Sequence, residues 1–428
     1  MASKQCLSKL SQTSTTVPWS FLDRRIKLRN QDADAWWKMT GPILGVLMEE
    51  AGYDLRSQYL GLLFHIRHIV PRLGPAPRRN TPLLWKSFMT DDFSPLEYSW
   101  NWDSPTAPPK VRYSIEAIGP AAGTAMDPFN QDSTLELCNQ VDAICPAVDW
   151  SWFKLFQEAL CDHSQLSRNG SVEDEHHSSS SSVFLAFELG STIAAKAYFV
   201  PVKAEQLGVS RLSVLTEAIE LLKRQYGAFE GYDTFLDFTT TPQGSKLDII
   251  GVAIDCVSPE KSRLKLYVRS PETSFESVCE MMTLGGRLNS MTKSHRDEVK
   301  ELWWLTLGLD ESFLESDELD PKVQETAGVL YNFDIKATDS LPQPKLYVPV
   351  KHYALNDLDA AQGLCEFLKR RNRDKYTFNY MRALERSCTH RKLCDGLGFQ
   401  TYIGTGFQKD GSLALCSYWN GEVYHPNR

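Results

Sequence analysis

A pattern of Lys, any residue, Tyr and then an apolar residue lies in three strand-like segments of the chain. The copies are Lys196-Ala197-Tyr198-Phe199, Lys265-Leu266-Tyr267-Val268 and Lys345-Leu346-Tyr347-Val348. Side chains alternate across a strand, so Lys and Tyr two positions apart share one face. Ala197, Leu266 and Leu346 share the other with Phe199, Val268 and Val348. Arg263 extends the second copy to Arg-x-Lys-x-Tyr. Each strand thus has an apolar face that can pack on helices and a cationic, phenolic face. The polar faces can point into solvent or into the lumen of a closed sheet, and the lumen is the better reading. Several cations converging on one chamber repel unless an anion sits among them. Phosphate or diphosphate suits them, through charge-assisted bonds from Lys and Arg and through Tyr hydroxyls. The long, unequal spacings point to a divergent supersecondary repeat, not a regular solenoid.

The surrounding chain supports a repeat of paired strands. Strand patterns fall at 183–188 and 192–200, 247–257 and 264–269, 329–335 and 344–350, and 399–407 and 413–418, with another at 111–118. Helical patterns at 34–52, 55–70, 142–160, 210–226, 275–282, 298–307 and 357–372 lie between or before them. Close strand pairs favour antiparallel hairpins over parallel crossovers. Residues 1–16 read as a loose tail and 17–428 as one domain. Within it, 171–182, with Glu173-Asp174-Glu175-His176-His177 and the serines to Ser182, reads as an exposed, mobile loop.

Composition removes several function classes. The 46 Lys and Arg against 54 Asp and Glu give a net charge of −8. That argues against a duplex nucleic-acid binder, although it leaves room for a local cationic pocket. No apolar run is long enough to span a bilayer, and the polar N-terminus lacks the apolar core of a secretion signal. A cytoplasmic protein without a membrane or nucleic-acid partner is expected. The 10 cysteines form no C-x-x-C pair and read as small buried residues. There is no P-loop and no dinucleotide fingerprint. Asp91-Asp92 and Asn356-Asp357-Leu358-Asp359 lack the spacing of a magnesium-binding aspartate run. His65 and His68 read as packing or surface residues, so no metal site is expected. Anion neutralisation by Lys and Arg follows.

Through these features and the motifs below, the chain resembles the fungal aromatic (indole) prenyltransferases of the dimethylallyltryptophan-synthase type. The resemblance runs from Trp36 to Pro426. It rests on Trp36-Trp37, Ala51-Gly52-Tyr53, the segment from Ser94 through Glu97-Tyr98-Ser99-Trp100-Asn101-Trp102, Val111-Arg112-Tyr113-Ser114-Ile115-Glu116, the three repeats and Gln400-Thr401-Tyr402. It implies an α+β fold, an antiparallel ten-stranded barrel of αββα repeats with helices outside and the active site in the lumen. It also implies metal-independent transfer of a dimethylallyl group from its diphosphate, a co-substrate, to an aromatic acceptor. The diphosphate set implied is Arg112, Lys196, Tyr198, Arg263, Lys265, Tyr267, Lys345, Tyr347, Tyr402 and Tyr418. Glu97 is implied as the catalytic carboxylate that orients the acceptor, with Phe88 and Met89 beside it.

Two departures stand out. The family often has Gln where Lys345 stands, and often an Arg shortly after Gln-Thr-Tyr, where Gln408 and Lys409 are the options. Gly190 lies near the place of the proton-removing Lys of tryptophan-specific members, which weakens free tryptophan as acceptor. The wording Glu-Tyr-Ser-Trp-Asn-Trp leans to a tryptophan-containing cyclic dipeptide or related indole alkaloid of secondary metabolism. A phenolic or polycyclic acceptor, and a non-catalytic protein binding a phosphorylated ligand, are the alternatives. A monomer or homodimer is expected.

Overall fold

A sheet with an apolar outer face and a charged inner face has no exposed edge once it closes on itself. Ten strands do so here. They are β1 (Leu96–Trp102), β2 (Lys110–Ile115), β3 (Val183–Glu188), β4 (Ala194–Phe199), β5 (Asp248–Asp255), β6 (Leu264–Ser270), β7 (Val329–Ile335), β8 (Gln343–Val348), β9 (Gln400–Phe407) and β10 (Leu413–Asn420). Each pairs antiparallel with its sequence neighbours, and β1 with β10 closes the barrel. The computed structural model describes residues 14–78, 83–102, 106–161, 181–289, 291–408 and 411–428.

Helices cover the outside, and their aromatic residues mark the contact. Phe153 and Phe156 of helix Ser151–Cys161 meet the outward Phe199 at 5.4 and 5.6 Å between ring centroids. Phe235 of helix Glu230–Thr239 meets Phe333 of β7 at 5.3 Å. Tyr380 of helix Thr377–Ser387 packs on Trp100, Trp102 and Trp419. These tryptophans therefore lie between barrel and helices, outside the lumen. Burying such rings supplies most of the attraction between layers, roughly 1.5–3 kcal/mol for each large apolar side chain.

Four expectations are corrected. The helix expected at 142–160 is two helices, Asp132–Ile144 and Ser151–Cys161, because Pro146 lies between them and cannot donate to a helix ladder. The helix from Leu55 is α-helical only to Phe64 and continues as a π turn, His65–Ile69. The expectation of an exposed loop over 171–182 fails at Ser181 and Ser182, which are buried; Ser181 donates to Glu116 at 2.6 Å, and the Ser182 hydroxyl accepts from Gln131 at 2.8 Å. Residues 171–180 lie outside the described residues. At the N-terminus Thr16, placed in the loose tail, is buried and caps helix Val17–Arg25. His65 is buried against Thr40 at 2.8 Å, and burial pushes its pKa down to about 3.

Candidate active site

In an antiparallel barrel, alternate strands run the same way. The three repeats occupy β4, β6 and β8. Lys196, Lys265 and Lys345 consequently lie toward one end of the lumen, and Tyr198, Tyr267 and Tyr347 one step further in. Arg112 of β2 joins the cations, as does Arg263, just before β6.

The odd-numbered strands answer with acids. Across the ladders Glu188 stands opposite Arg112, Asp255 opposite Lys196 and Asp334 opposite Lys265. Asp255 accepts from Lys265, from Lys196 at 3.1 Å and from Arg263 Nε at 2.8 Å. Asp334 accepts from Arg263 Nη1 at 2.8 Å and Lys345 at 2.9 Å. Glu188 takes Arg112 Nε at 2.5 Å and Lys110 at 3.3 Å. The sequence argument that only a bound anion could relieve the cations is thereby corrected, because three side-chain carboxylates already do so. Six cations still face three acids, so the end stays positive. Burial opposes ionisation of Asp255, yet Lys265, Lys196 and Arg263 hold its carboxyl well below the usual range. Burial, with Lys196 and Arg263, pushes the Lys265 ammonium down despite its acidic partner.

Beyond the cations lies an aromatic belt. Phe184 of β3 stacks on Tyr198 at 4.3 Å, and Phe88 reaches Phe184 edge-on at 5.4 Å. Tyr198 meets Tyr267 at 5.7 Å, Tyr267 meets Tyr347 at 6.0 Å, and Tyr347 meets Tyr418 at 5.7 Å and Tyr402 at 6.2 Å. Two glycines of β9 make room for it. A Cβ on Gly404 would sit 3.2 Å from Tyr418 and 3.4 Å from Tyr347, and one on Gly406 would sit 2.7 Å from Cγ of Lys345.

Glu97 lies past this belt. Its neighbour Tyr98 points outward to the backbone of Thr40, so Glu97 faces the lumen. On β9, Thr401 and Tyr402 together oppose the single residue Tyr418, an inserted residue that breaks strict alternation. Gln400 then reaches outward, accepting from Tyr380 at 2.6 Å, while Thr401 donates to Glu97 at 2.6 Å. Burial raises the Glu97 pKa to about 7, against the Thr401 bond and the nearby Lys351 cation. Lys351 lies 4.9 Å over the Tyr402 ring and is paired with Asp91 at 2.8 Å.

The structure brings together all ten residues of the expected diphosphate set, with Glu97 and Phe88. Met89 shows only a backbone N–H bond to Ser87 at 3.2 Å. Gln408 turns the β9–β10 hairpin through its bond to Ser412, and Lys409 lies outside the described residues. Gly190 is in the turn between β3 and β4, not on a strand. Sequence reasoning missed Glu188, Asp255, Asp334, Phe184, Thr401 and Lys351. An apolar-acidic pair at or next to the end of each of β3, β5 and β7 was the available signal for the acids: Phe187-Glu188, Ile254-Asp255 and Phe333-Asp334.

The profile of the family described as tryptophan dimethylallyltransferase matches residues 32–383. The chain belongs to this family. Its members' barrel recurs in the crystal structure of AnaPT from Neosartorya fischeri, which has a TM-score of 0.79 and 25% identity and covers 95% of this chain and 98% of that one. Among curated relatives, prenyltransferase anuH of Penicillium roqueforti (strain FM164) is 36% identical, over 96% of this chain and 94% of the relative. The 4-O-dimethylallyl-L-tyrosine synthase of Claviceps purpurea (strain 20.1) is 35% identical, over 92% and 89%. This dimethylallyltransferase-family protein is an aromatic prenyltransferase, so the reading as a non-catalytic binder gives way. Among the described residues no helix is long and apolar enough to cross a membrane.

Proposed function

We propose that this enzyme transfers a dimethylallyl group from dimethylallyl diphosphate to a hydroxylated aromatic ring, with Glu97 receiving the phenolic O–H. The observation that carries the reading is the order of groups along one lumen: Lys and Arg, then tyrosines, then a buried carboxylate whose pKa is about 7. The similarity to a tyrosine-modifying relative supports a phenol over the indole expected from sequence wording.

In this mechanism the C1–O bond of the donor breaks and its electron pair leaves with the diphosphate. Arg112, Lys196, Arg263, Lys265 and Lys345 take up the charge that grows on the leaving oxygens, which is where fixed cations lower a barrier most. The tyrosine faces stabilise the allyl cation, about 0.5–2 kcal/mol per well-placed ring, and keep water from it. An electron pair of the acceptor forms the new bond to C1. When a ring carbon attacks, its proton is then lost to restore aromaticity. Glu97 accepts the O–H bond and makes the ring more electron-rich, and as a carboxylate it can take the proton.

Asp255 and Asp334 are each occupied by Lys or Arg. That donor set suits an anion bound by cations and supports turnover without a divalent metal. The indole ring of a cyclic dipeptide is a second reading. It draws on the same Glu97 geometry, because an indole N–H donates to a carboxylate as a phenol does.

The test is incubation with dimethylallyl diphosphate, EDTA and a panel of phenols, polycyclic phenols, tyrosine, tryptophan and tryptophan-containing cyclic dipeptides, with products read by mass. Gain of C5H8 on phenols in EDTA is the expected result. Gain on indoles alone would replace the acceptor. No transfer to any aromatic would overturn the reading.

A further inference from the structure

Arg269 is the one lumen cation of the repeats that the donor-binding end does not use. β4 ends at Phe199 and β8 at Val348, each just after its tyrosine. β6 runs on to Ser270 and so carries Arg269 one lumen step beyond Tyr267. The matching positions in the other two repeats are Val200 and Pro349. The repeat symmetry is therefore broken by a single charge, on the side away from Arg263 and Lys265.

The surroundings of Arg269 leave it short of partners. Its Nε and Nη1 are buried and have no hydrogen-bond acceptor among the described residues. Asp248, opposite it on β5, has its carboxylate 3.9 Å from Arg211, and the β7 residue opposite is Leu330. The acid beside Lys351 is already committed. Asp91 pairs with Lys351 at 2.8 Å and lies 3.4 Å from His352, while Thr326 bonds Lys351 at 3.1 Å and His352 at 2.9 Å. Arg269 and Glu97 both lie within electrostatic reach of Lys351, so they belong to the same end of the lumen. A buried guanidinium donor without an acceptor is costly, and a planar fork of N–H groups matches a carboxylate in particular.

We propose that Arg269 binds a carboxylate carried by the acceptor, making the preferred substrate an aromatic acid with its hydroxyl directed to Glu97. This rests on the phenolic reading above and narrows it. The guanidinium would supply two N–H donors to the carboxylate, and Leu330 would line the passage between that anchor and the reacting ring.

The test compares acid and ester pairs, 4-hydroxyphenylacetate with its methyl ester and 2,4-dihydroxybenzoate with its methyl ester, each with dimethylallyl diphosphate. The readout is the ratio of kcat/KM for acid over ester in the wild type, Arg269→Met and Arg269→Lys. The expected result is a ratio above one in the wild type that falls at least tenfold in Arg269→Met through KM for the acid, with Arg269→Lys between the two. Should Arg269→Met fail to fold, the Lys variant carries the test through loss of the bidentate fork, with a threefold or greater fall expected. A ratio that moves less than twofold in the folded variants, or a wild type that prefers the esters, would overturn the proposal while leaving phenol prenylation intact. Absence of transfer to any phenol, with the donor still bound, would instead remove the reading on which it rests.

Discussion

Thr401 donates its hydroxyl proton to Glu97 at 2.6 Å, and the two residues stand 304 positions apart in the chain. The bond ties β9 to β1 across β10 and fixes the carboxylate that faces the acceptor. Because Thr401 stabilises the ionised form, Thr401→Val should raise the Glu97 pKa further. In the wild type, kcat/KM for a phenol should rise with pH through an apparent pKa near 7. The limb should move to higher pH in Thr401→Val and vanish in Glu97→Gln, with activity lowered by about 10²–10⁴. Initial rates from pH 5 to 9 decide this.

The same carboxylate has a stability signature. Its pKa is about 7 in the folded protein, against an ordinary value of 4.5. Between those values the folded chain holds a proton that the unfolded chain has lost, so Glu97 makes stability fall as pH rises through that window. The Tm of Glu97→Gln minus that of the wild type should therefore grow from pH 4.5 to 7 and level off above it. Thermal melts in matched buffers give the difference directly.

Asp334 balances Arg263 and Lys345 while 4% exposed. Asp334→Asn leaves those cations without their buried counter-charge, at a cost of about 3–5 kcal/mol. Inorganic diphosphate should then restore more of the lost Tm than it adds to the wild type, because it replaces the missing anion. Equal diphosphate shifts in both proteins would show that the anion binds elsewhere.

Lys265 and Lys345 should differ in importance. Lys265 is buried among cations and aspartates, whereas Lys345 faces Gly406 and is 32% exposed. Lys265→Met should lower kcat about 10²–10³-fold, the usual loss for a group that meets developing charge. Lys345→Gln should chiefly raise KM for the donor, by tenfold or less. Steady-state kinetics with the donor varied separate the two effects.

Gly404 tests the shielding role of the belt. Gly404→Ala pushes a Cβ to 3.2 Å from Tyr418, so the rings must give way. More of the allyl cation should then be captured by water. The ratio of dimethylallyl alcohol to prenylated product should rise severalfold, as it should more strongly in Tyr347→Ala. Product analysis by chromatography measures that ratio.

Much of this site could be read from local pattern. Lys-x-Tyr on three strands dictates one shared face, and closure follows once that face is put inside. Glu188, Asp255 and Asp334 escaped because an acid at a strand end reads as a solvated terminus. Their role depends on which strand lies alongside and on its register. Asp91 and Lys351 are 260 residues apart, and nothing local in either segment announces the other. Arg269 looked like the end of a strand, and only the length of β6 relative to β4 and β8 gives it a place. Pro146 is a local signal for the break between Asp132–Ile144 and Ser151–Cys161.

The inserted residue in β9 carries more than its size suggests. With plain alternation, only one of Thr401 and Tyr402 could face inward. The strand would have to choose between holding the Glu97 carboxylate and screening the allyl cation. One residue of slack lets a single short segment serve both halves of the reaction. Deleting it would not shorten the barrel so much as uncouple the two substrates it joins.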